Sequence, residues 1–120
     1  MARRARFAES FQAFWPYYLQ EHSRPLTRGL HVAGTSLALA VLLIGVFSGS
    51  LAWIIAAPVI GYGVAWPAHM LVERNRPATF THPLWSLQGD LWMTLLWWTG
   101  RLEAEIARVS SAPGWRRPES

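Results

Sequence analysis

The sequence predicts an all-α membrane protein: a small helical bundle with a two-helix transmembrane hairpin, an N-terminal interfacial amphipathic helix and a third long, at least partly embedded helix. Residues 30–47 and 51–70 are two apolar runs without a single charged side chain. Each run has about the 18–20 residues that a helix needs to cross the hydrocarbon core of a bilayer. Only residues 48–50, Ser-Gly-Ser, separate the runs. A linker this short makes the two helices antiparallel neighbours.

Length and composition limit the remaining possibilities. A chain of 120 residues is the size of one domain. We expect a single integral-membrane helical domain over residues 1–110 and a flexible tail over residues 111–120, which contain Pro, Gly and Arg. The sequence has no cysteine, which excludes disulfides, cysteine-bound zinc and iron–sulfur clusters. The net charge of +4 comes with arginines dispersed around apolar helices, so we predict no nucleic-acid partner.

Residues 7–21 predict the first helix. Phe7, Phe11, Phe14 and Tyr18 recur at helical spacing, and polar residues occupy the other faces. This pattern, rich in Trp and Tyr, is typical of a helix that lies at the boundary between headgroups and acyl chains. Pro16 predicts a kink or an early end of this helix.

Residues 84–108 predict the last helix. Leucines and Trp98 form a stripe with the 3.6-residue period, and further tryptophans fill the other faces. The apolar part is short for a full span, so two arrangements stay open. The helix either crosses the bilayer with a tilt or packs half-buried beside the hairpin.

The distribution of arginine predicts the orientation in the membrane. Five arginines precede the first apolar run, Arg74 and Arg76 follow the second, and the linker has none. The positive-inside rule then places both ends of the hairpin in the cytoplasm. We expect an integral protein of a bacterial-type inner membrane or of the endoplasmic reticulum.

The four histidines are predicted to meet at one end of the hairpin. His22 and His31 precede or open the first apolar run, His69 closes the second, and His82 follows shortly after. Antiparallel packing brings the start of one helix beside the end of the other. Imidazole is the commonest metal ligand, so the pattern predicts a metal site. Histidines with carboxylates suit Fe(II), Mn or Zn, and spacing does not choose among them.

Further polar residues flank the histidines. Glu73 lies four residues after His69 and shares its helix face, and Asp90 and Glu21 are the other acidic candidates. Each is predicted to orient a histidine or to ligate the metal directly. The alternatives are a solvated pair at a helix end for Glu73 and a snorkelling side chain for Asp90. Arg74, Asn75 and Arg76 are predicted to bind a substrate carboxylate, or else lipid phosphates.

The same residues carry a family resemblance. Residues 14–22, 28–34, 66–80 and 82–90 resemble the Mpo-like family, long catalogued as a domain of unknown function, and the similarity runs from about Phe7 to Arg108. The block Glu-Arg-Asn-Arg-Pro-Ala-Thr over residues 73–79, with its upstream His69, is the most specific part. Thr27 and Met70 depart from residues common in the family, and neither is a candidate ligand.

The resemblance implies an activity. The characterised member is an Fe(II)-dependent dioxygenase of the endoplasmic reticulum membrane, which shortens 2-hydroxy fatty acids by one carbon in fatty-acid α-oxidation. The implied substrates are a 2-hydroxy fatty acid and O2, and the implied cofactor is Fe(2+). By resemblance, the catalytic metal ligands are His22, His31, His69 and His82.

Two other functional classes stay open at this point. The histidines of a non-catalytic membrane protein can ligate haem or hold a structural metal ion. A lipid-binding or assembly factor needs no metal at all. The lipid bilayer is a partner in every case, and a homo-oligomer is compatible with each.

Overall fold

The computed structural model describes residues 10–76 and 82–111, and all regular structure in these ranges is helical, which confirms the predicted all-α class. The first helix and the tail were predicted to include residues 7–9 and 112–120, which lie outside the described ranges. The elements are α1 (Phe11–Glu21), α2 (Pro25–Ser48), α3 (Leu51–Pro67), a π-helical turn (Ala68–Glu73) that continues α3, α4 (Pro83–Trp98) and α5 (Leu102–Ser110).

Helices α2 and α3 pack against each other in antiparallel orientation. Gly49 ends α2 in the left-handed conformation with φ 68°, and the Ser50 N–H donates to the Gly45 carbonyl over 2.9 Å. These features form the Schellman motif that reverses the chain. A Cβ on Gly45 would lie 2.8 Å from the Ile54 backbone nitrogen, and one on Gly34 would lie 2.9 Å from the Val64 Cβ. Small residues therefore let the two backbones approach closely.

The long helices have an apolar exterior. Pro25–Ser48 and Leu51–Glu73 are long and apolar enough to cross a membrane, by length and composition. Large side chains on their outer faces are exposed, as shown by Phe47, of which 87% is accessible. Continuous exposed apolar surface is a feature of interaction or membrane surfaces rather than of ordinary soluble domains.

Helix α1 packs onto α4 and α5 through its aromatic face. Phe14 and Tyr18 are fully buried and join Met93 of α4 in the core. A Cβ on Gly89 of α4 would lie 2.9 Å from the Tyr18 ring, so this glycine is needed for the contact. The predicted headgroup-facing aromatics thus differ from the structure, because Trp15 and Tyr18 are buried in protein. Helix α1 also continues through Pro16.

The prediction of one last helix over residues 84–108 is wrong, because the chain breaks at Gly100. Gly100 has φ 71°, its N–H donates to the Trp97 carbonyl, and the Arg101 N–H donates to the Leu96 carbonyl over 2.8 Å. This is a second Schellman motif. The apolar period continues across the break, so periodicity alone does not reveal it. The 16 residues of α4 extend about 24 Å, which is less than the roughly 30 Å hydrocarbon core.

Candidate metal centre

Three of the four histidines meet in one buried cluster. His22 follows α1, His31 lies in the second turn of α2, and His69 lies in the π-helical turn. Their ligand atoms all lie within 4.8 Å of one another. Ring centroids are 4.3 Å apart for His22 and His69, 4.5 Å for His22 and His31, and 5.6 Å for His31 and His69. The antiparallel hairpin brings His31 and His69 together, and the short connector after α1 adds His22.

Hydrogen bonds fix which nitrogen of two rings faces the cluster. The Nδ1–H of His22 donates to the Tyr18 carbonyl over 2.7 Å. The Nδ1–H of His69 donates to Asn75 Oδ1 over 2.8 Å. Since these acceptors are oxygens without a proton, each imidazole is the Nδ1–H tautomer. The lone pair is then on Nε2, which is the state that ligates a metal.

Two buried nitrogens of the cluster lack a hydrogen-bond partner among the described residues, namely His22 Nε2 and His31 Nδ1. Both side chains are almost completely inaccessible, with 1% and 5% exposed. An unsatisfied buried polar atom costs about 1–3 kcal/mol and calls for an explanation. A cation bound between the rings would accept both lone pairs. The donor set therefore fits a metal ion.

The charge state of the cluster also suits a cation. Burial lowers the pKa of His22 well below its usual range, and the neighbouring rings of His31 and His69 lower it further. The hydrogen bond to the Tyr18 carbonyl opposes this shift. His22 is therefore neutral at physiological pH, and no proton has to leave before it binds a metal.

Asn75 holds His69 from two sides. Its backbone N–H donates to the His69 carbonyl over 3.0 Å, while its side-chain oxygen accepts from the ring. Its amide nitrogen donates to the Glu21 carbonyl over 3.1 Å, next to His22. Arg74 makes this return possible by adopting the left-handed conformation with φ 58°. Asn75 was predicted to bind a substrate, and the structure places it behind a ligand candidate.

Asp90 lies behind His31. One of its carboxylate oxygens, Oδ1, is 3.4 Å from His31 Nε2 and accepts a 2.6 Å hydrogen bond from the Tyr18 hydroxyl. Burial and the adjacent Asp90 carboxylate raise the pKa of Tyr18, so the phenol stays protonated as the donor. With Nε2 of His31 directed at Asp90, the unpartnered Nδ1 is the nitrogen left for a metal. An orienting role of Asp90 toward His31 stays a prediction.

Glu73 binds the connector before α2 rather than a histidine ring. Its carboxylate accepts from the Ser23 N–H and hydroxyl, the Arg24 N–H and the Thr27 hydroxyl, over 2.5–3.2 Å. Arg24 is the N-cap of α2, and Pro25 begins the helix. The Arg24 side chain makes no capping hydrogen bond. The Glu73 carboxylate instead accepts hydrogen bonds at the start of α2, from the Arg24 N–H and the Thr27 hydroxyl.

The other predicted residues surround the cluster. His82 is the N-cap of α4, and it lies outside the cluster of three. Its ring stacks on Trp85 with centroids 5.4 Å apart, and its centroid is 5.0 Å from that of the Phe14 ring. Burial raises the pKa of Glu21, whose carboxylate oxygen Oε2 is inaccessible and lacks a hydrogen-bond partner among the described residues. Arg74 and Arg76 are exposed at the end of the π-helical turn.

Sequence reasoning missed three supporting residues. Tyr18 is the donor to Asp90, Ser23 binds Glu73, and Arg28 donates to the carbonyls of His22 and Ser23 over 2.9 Å each. Tyr18 was detectable, because it lies four residues before His22 and shares its helix face. Ser23 and Arg28 were not detectable, because Ser23 meets Glu73 only through the tertiary fold and Arg28 binds backbone carbonyls, which no residue pattern reveals.

The protein is helical and has two apolar helices of membrane length. Three buried histidines at one end of this helix pair form a candidate metal centre. The model of the family described as 2-hydroxy-palmitic acid dioxygenase Mpo1-like matches residues 8–102. The chain belongs to this family, which confirms the resemblance predicted from the sequence. Comparisons with curated proteins and with solved structures find no match.

Proposed function

We propose that this protein is an Fe(II)-dependent membrane dioxygenase that shortens 2-hydroxy fatty acids by one carbon, as in fatty-acid α-oxidation. The observation that carries the proposal is the buried cluster of His22, His31 and His69 with its unpartnered nitrogens. The family description, 2-hydroxy-palmitic acid dioxygenase, supports the reaction type and the substrate class.

The three imidazoles would hold the metal, and iron bound there supplies redox chemistry with O2. Three protein ligands leave coordination positions for the substrate. The overall conversion balances with O2 as the sole oxidant. A 2-hydroxy acid and one O2 give the acid shorter by one carbon, CO2 and water, as the carbon–carbon bond next to the carboxyl group breaks. No separate reductant is needed.

The surrounding residues have separate roles in this proposal. Asn75 and Asp90 orient His69 and His31, because each accepts or faces the ring nitrogen that the metal does not use. Arg74 and Arg76, at the cytoplasmic boundary, attract the substrate carboxylate. His82 stays a fourth candidate ligand. Metal analysis of His82→Ala tests whether it contributes to metal binding.

The membrane arrangement belongs to the same proposal. In this proposal Pro25–Ser48 and Leu51–Glu73 cross the bilayer as a hairpin, and the arginine distribution supports a cytoplasmic position for the histidine end. A fatty acid in the cytoplasmic leaflet then has its headgroup at the depth of the cluster.

The test is metal analysis and oxygen uptake on protein purified without air. We expect iron in the purified protein, and consumption of one O2 for each shortened acid formed from a 2-hydroxy fatty acid. His69→Ala should lose both iron and turnover, whereas Gln88→Ala, an exposed substitution on α4, should keep both. Zinc without oxygen uptake, a haem absorption band, or a metal-free fold that tolerates loss of all three histidines would each contradict the proposal.

A further inference from the structure

An apolar cavity of about 220 Å³ lies between α2, α3 and α4. His31 and Asp90 form its polar end, and both also belong to the surroundings of the metal centre. Apart from Thr35 and Tyr62, the remaining wall is aliphatic, with representative lining residues Ala38, Leu42, Ala57, Gly61 and Leu91. The cavity therefore has one end suited to a polar group and a long apolar remainder.

The cavity runs along the helices rather than across them. On α2 its lining residues include His31, Thr35, Ala38 and Leu42, which recur on one helix face. Leu42 is eleven positions after His31, so the lining extends about 16 Å along the α2 axis. An elongated space of this kind suits a single unbranched tail.

Small residues on α3 create the space. Ala57, Gly61 and Ala65 follow one another at four-residue intervals and line the cavity. Helices α2 and α3 are in close contact beside the cavity, because a Cβ on Gly61 would lie 3.4 Å from the Ala38 Cβ. A second observation connects the cavity to the candidate metal centre, because His31 lines the cavity, is 5% exposed and is one of the three clustered histidines.

We infer that this cavity holds the acyl tail of a free 2-hydroxy fatty acid, whose headgroup lies at His31, and that Leu42 and Ala57 at the far end set the accepted chain length. The inference rests on the proposed function for the identity of the headgroup. Because α3 runs antiparallel to α2, Ala57 lies far from the histidines and faces the Leu42 end of the cavity.

The physical basis of chain-length selection is steric. A tail that leaves the lipid phase gains little from the hydrophobic effect, since lipid chains are as apolar as the cavity wall. A tail longer than the cavity has to fold or protrude while its headgroup stays at the histidines. In a hydrophobic pocket, one methylene group more or less changes selectivity by about 10- to 200-fold.

The experiment uses two opposite changes at the far end of the cavity. Ala57→Leu fills space and should move the preference to shorter chains, whereas Leu42→Ala frees space and should move it to longer chains. The matched controls are Ala52→Leu and Leu43→Ala, which make the same chemical changes at exposed positions outside the cavity. We expect each cavity variant to change the ratio of kcat/KM for long and short substrates by about tenfold or more, and the controls to leave it unchanged.

Binding gives a readout that does not depend on turnover. A homologous series of 2-hydroxy fatty acids displaces a fluorescent fatty acid from the full-length protein in detergent, and the chain-length profile of displacement is compared between variants. If wild-type protein shows no turnover but the binding profiles shift in opposite directions, the proposed function fails and the acyl site stands. If turnover occurs and neither variant shifts either profile, the acyl site is refuted and the dioxygenase proposal stands. Equal displacement by a phospholipid without a free carboxyl group refutes the fatty acid as the occupant.

Discussion

Glu73 is expected to stabilise both the helical hairpin and the metal centre. Its carboxylate joins the end of the π-helical turn to the connector that carries His22, through four hydrogen bonds with Ser23, Arg24 and Thr27. Glu73→Ala removes all four acceptor contacts at once. Glu73→Gln keeps one acceptor oxygen, but its amide N–H group then faces donor groups of the connector and cannot accept from them.

The magnitude follows from the number and exposure of the donors. Hydrogen bonds to a charged group contribute about 1.5–3 kcal/mol each, which summed over four gives roughly 6–12 kcal/mol. That sum is too high, because the site is only partly buried and water can reach the freed N–H groups. Loss of a helix cap typically costs about 0.5–2 kcal/mol. We therefore expect Glu73→Ala to lower the free energy of unfolding by about 2–4 kcal/mol, and Glu73→Gln by about half of that.

The assay is reversible unfolding in mixed micelles, with and without the bound metal. Glu103→Ala, which removes an exposed carboxylate from α5, is the control for a change in net charge. Because Ser23 adjoins His22, Glu73→Ala should also weaken metal binding. A metal at a hundredfold excess over its Kd stabilises the wild type by about 2.7 kcal/mol, and the variant should gain less. If Glu73→Ala and Glu103→Ala unfold within about 0.5 kcal/mol of each other, Glu73 does not anchor the connector.

Three further predictions concern single contacts. Asn75→Ala should reduce metal affinity about 10- to 100-fold, because His69 loses the acceptor that orients its ring, and a metal titration checks this. Tyr18→Phe leaves Asp90 without its hydroxyl donor and should cost about 1.5–3 kcal/mol in an unfolding experiment, with a neutral result contradicting the buried contact. Gly100→Ala should cost about 1 kcal/mol because φ is 71° while the space for a Cβ is open. Gly63→Ala, which is equally open but lies within α3, should be neutral or stabilising.

The parts of the fold that depend on local pattern were predictable. The uncharged apolar runs and the Ser-Gly-Ser linker identified the two long helices and their turn to within a few residues, apart from the start of α2. The same pattern predicted that His31 and His69 meet, since only antiparallel packing is needed. The break at Gly100 was missed because the apolar period continues on both sides, and a period does not report the sign of φ.

The parts that depend on tertiary contacts were not predictable. The aromatic face of α1 suits a headgroup boundary and a protein core equally well, because the same side chains can pack in either environment. Helix α1 packs on α4 in the structure, where Gly89 leaves room for the Tyr18 ring. The partners of Glu73 were hidden for a similar reason, because two of its four donor groups are backbone N–H groups.

The π-helical turn connects these observations. In Ala68–Glu73 the backbone bonds reach one residue further than in an α-helix, and such turns occur often at functional sites. The Arg74 N–H still donates to the His69 carbonyl, and the left-handed Arg74 then turns Asn75 back toward the same residue. As a result, Glu73 holds the connector at Ser23 while Asn75 holds it at the Glu21 carbonyl. His22 lies between these two anchor points, so the end of α3 fixes two of the three histidines relative to each other.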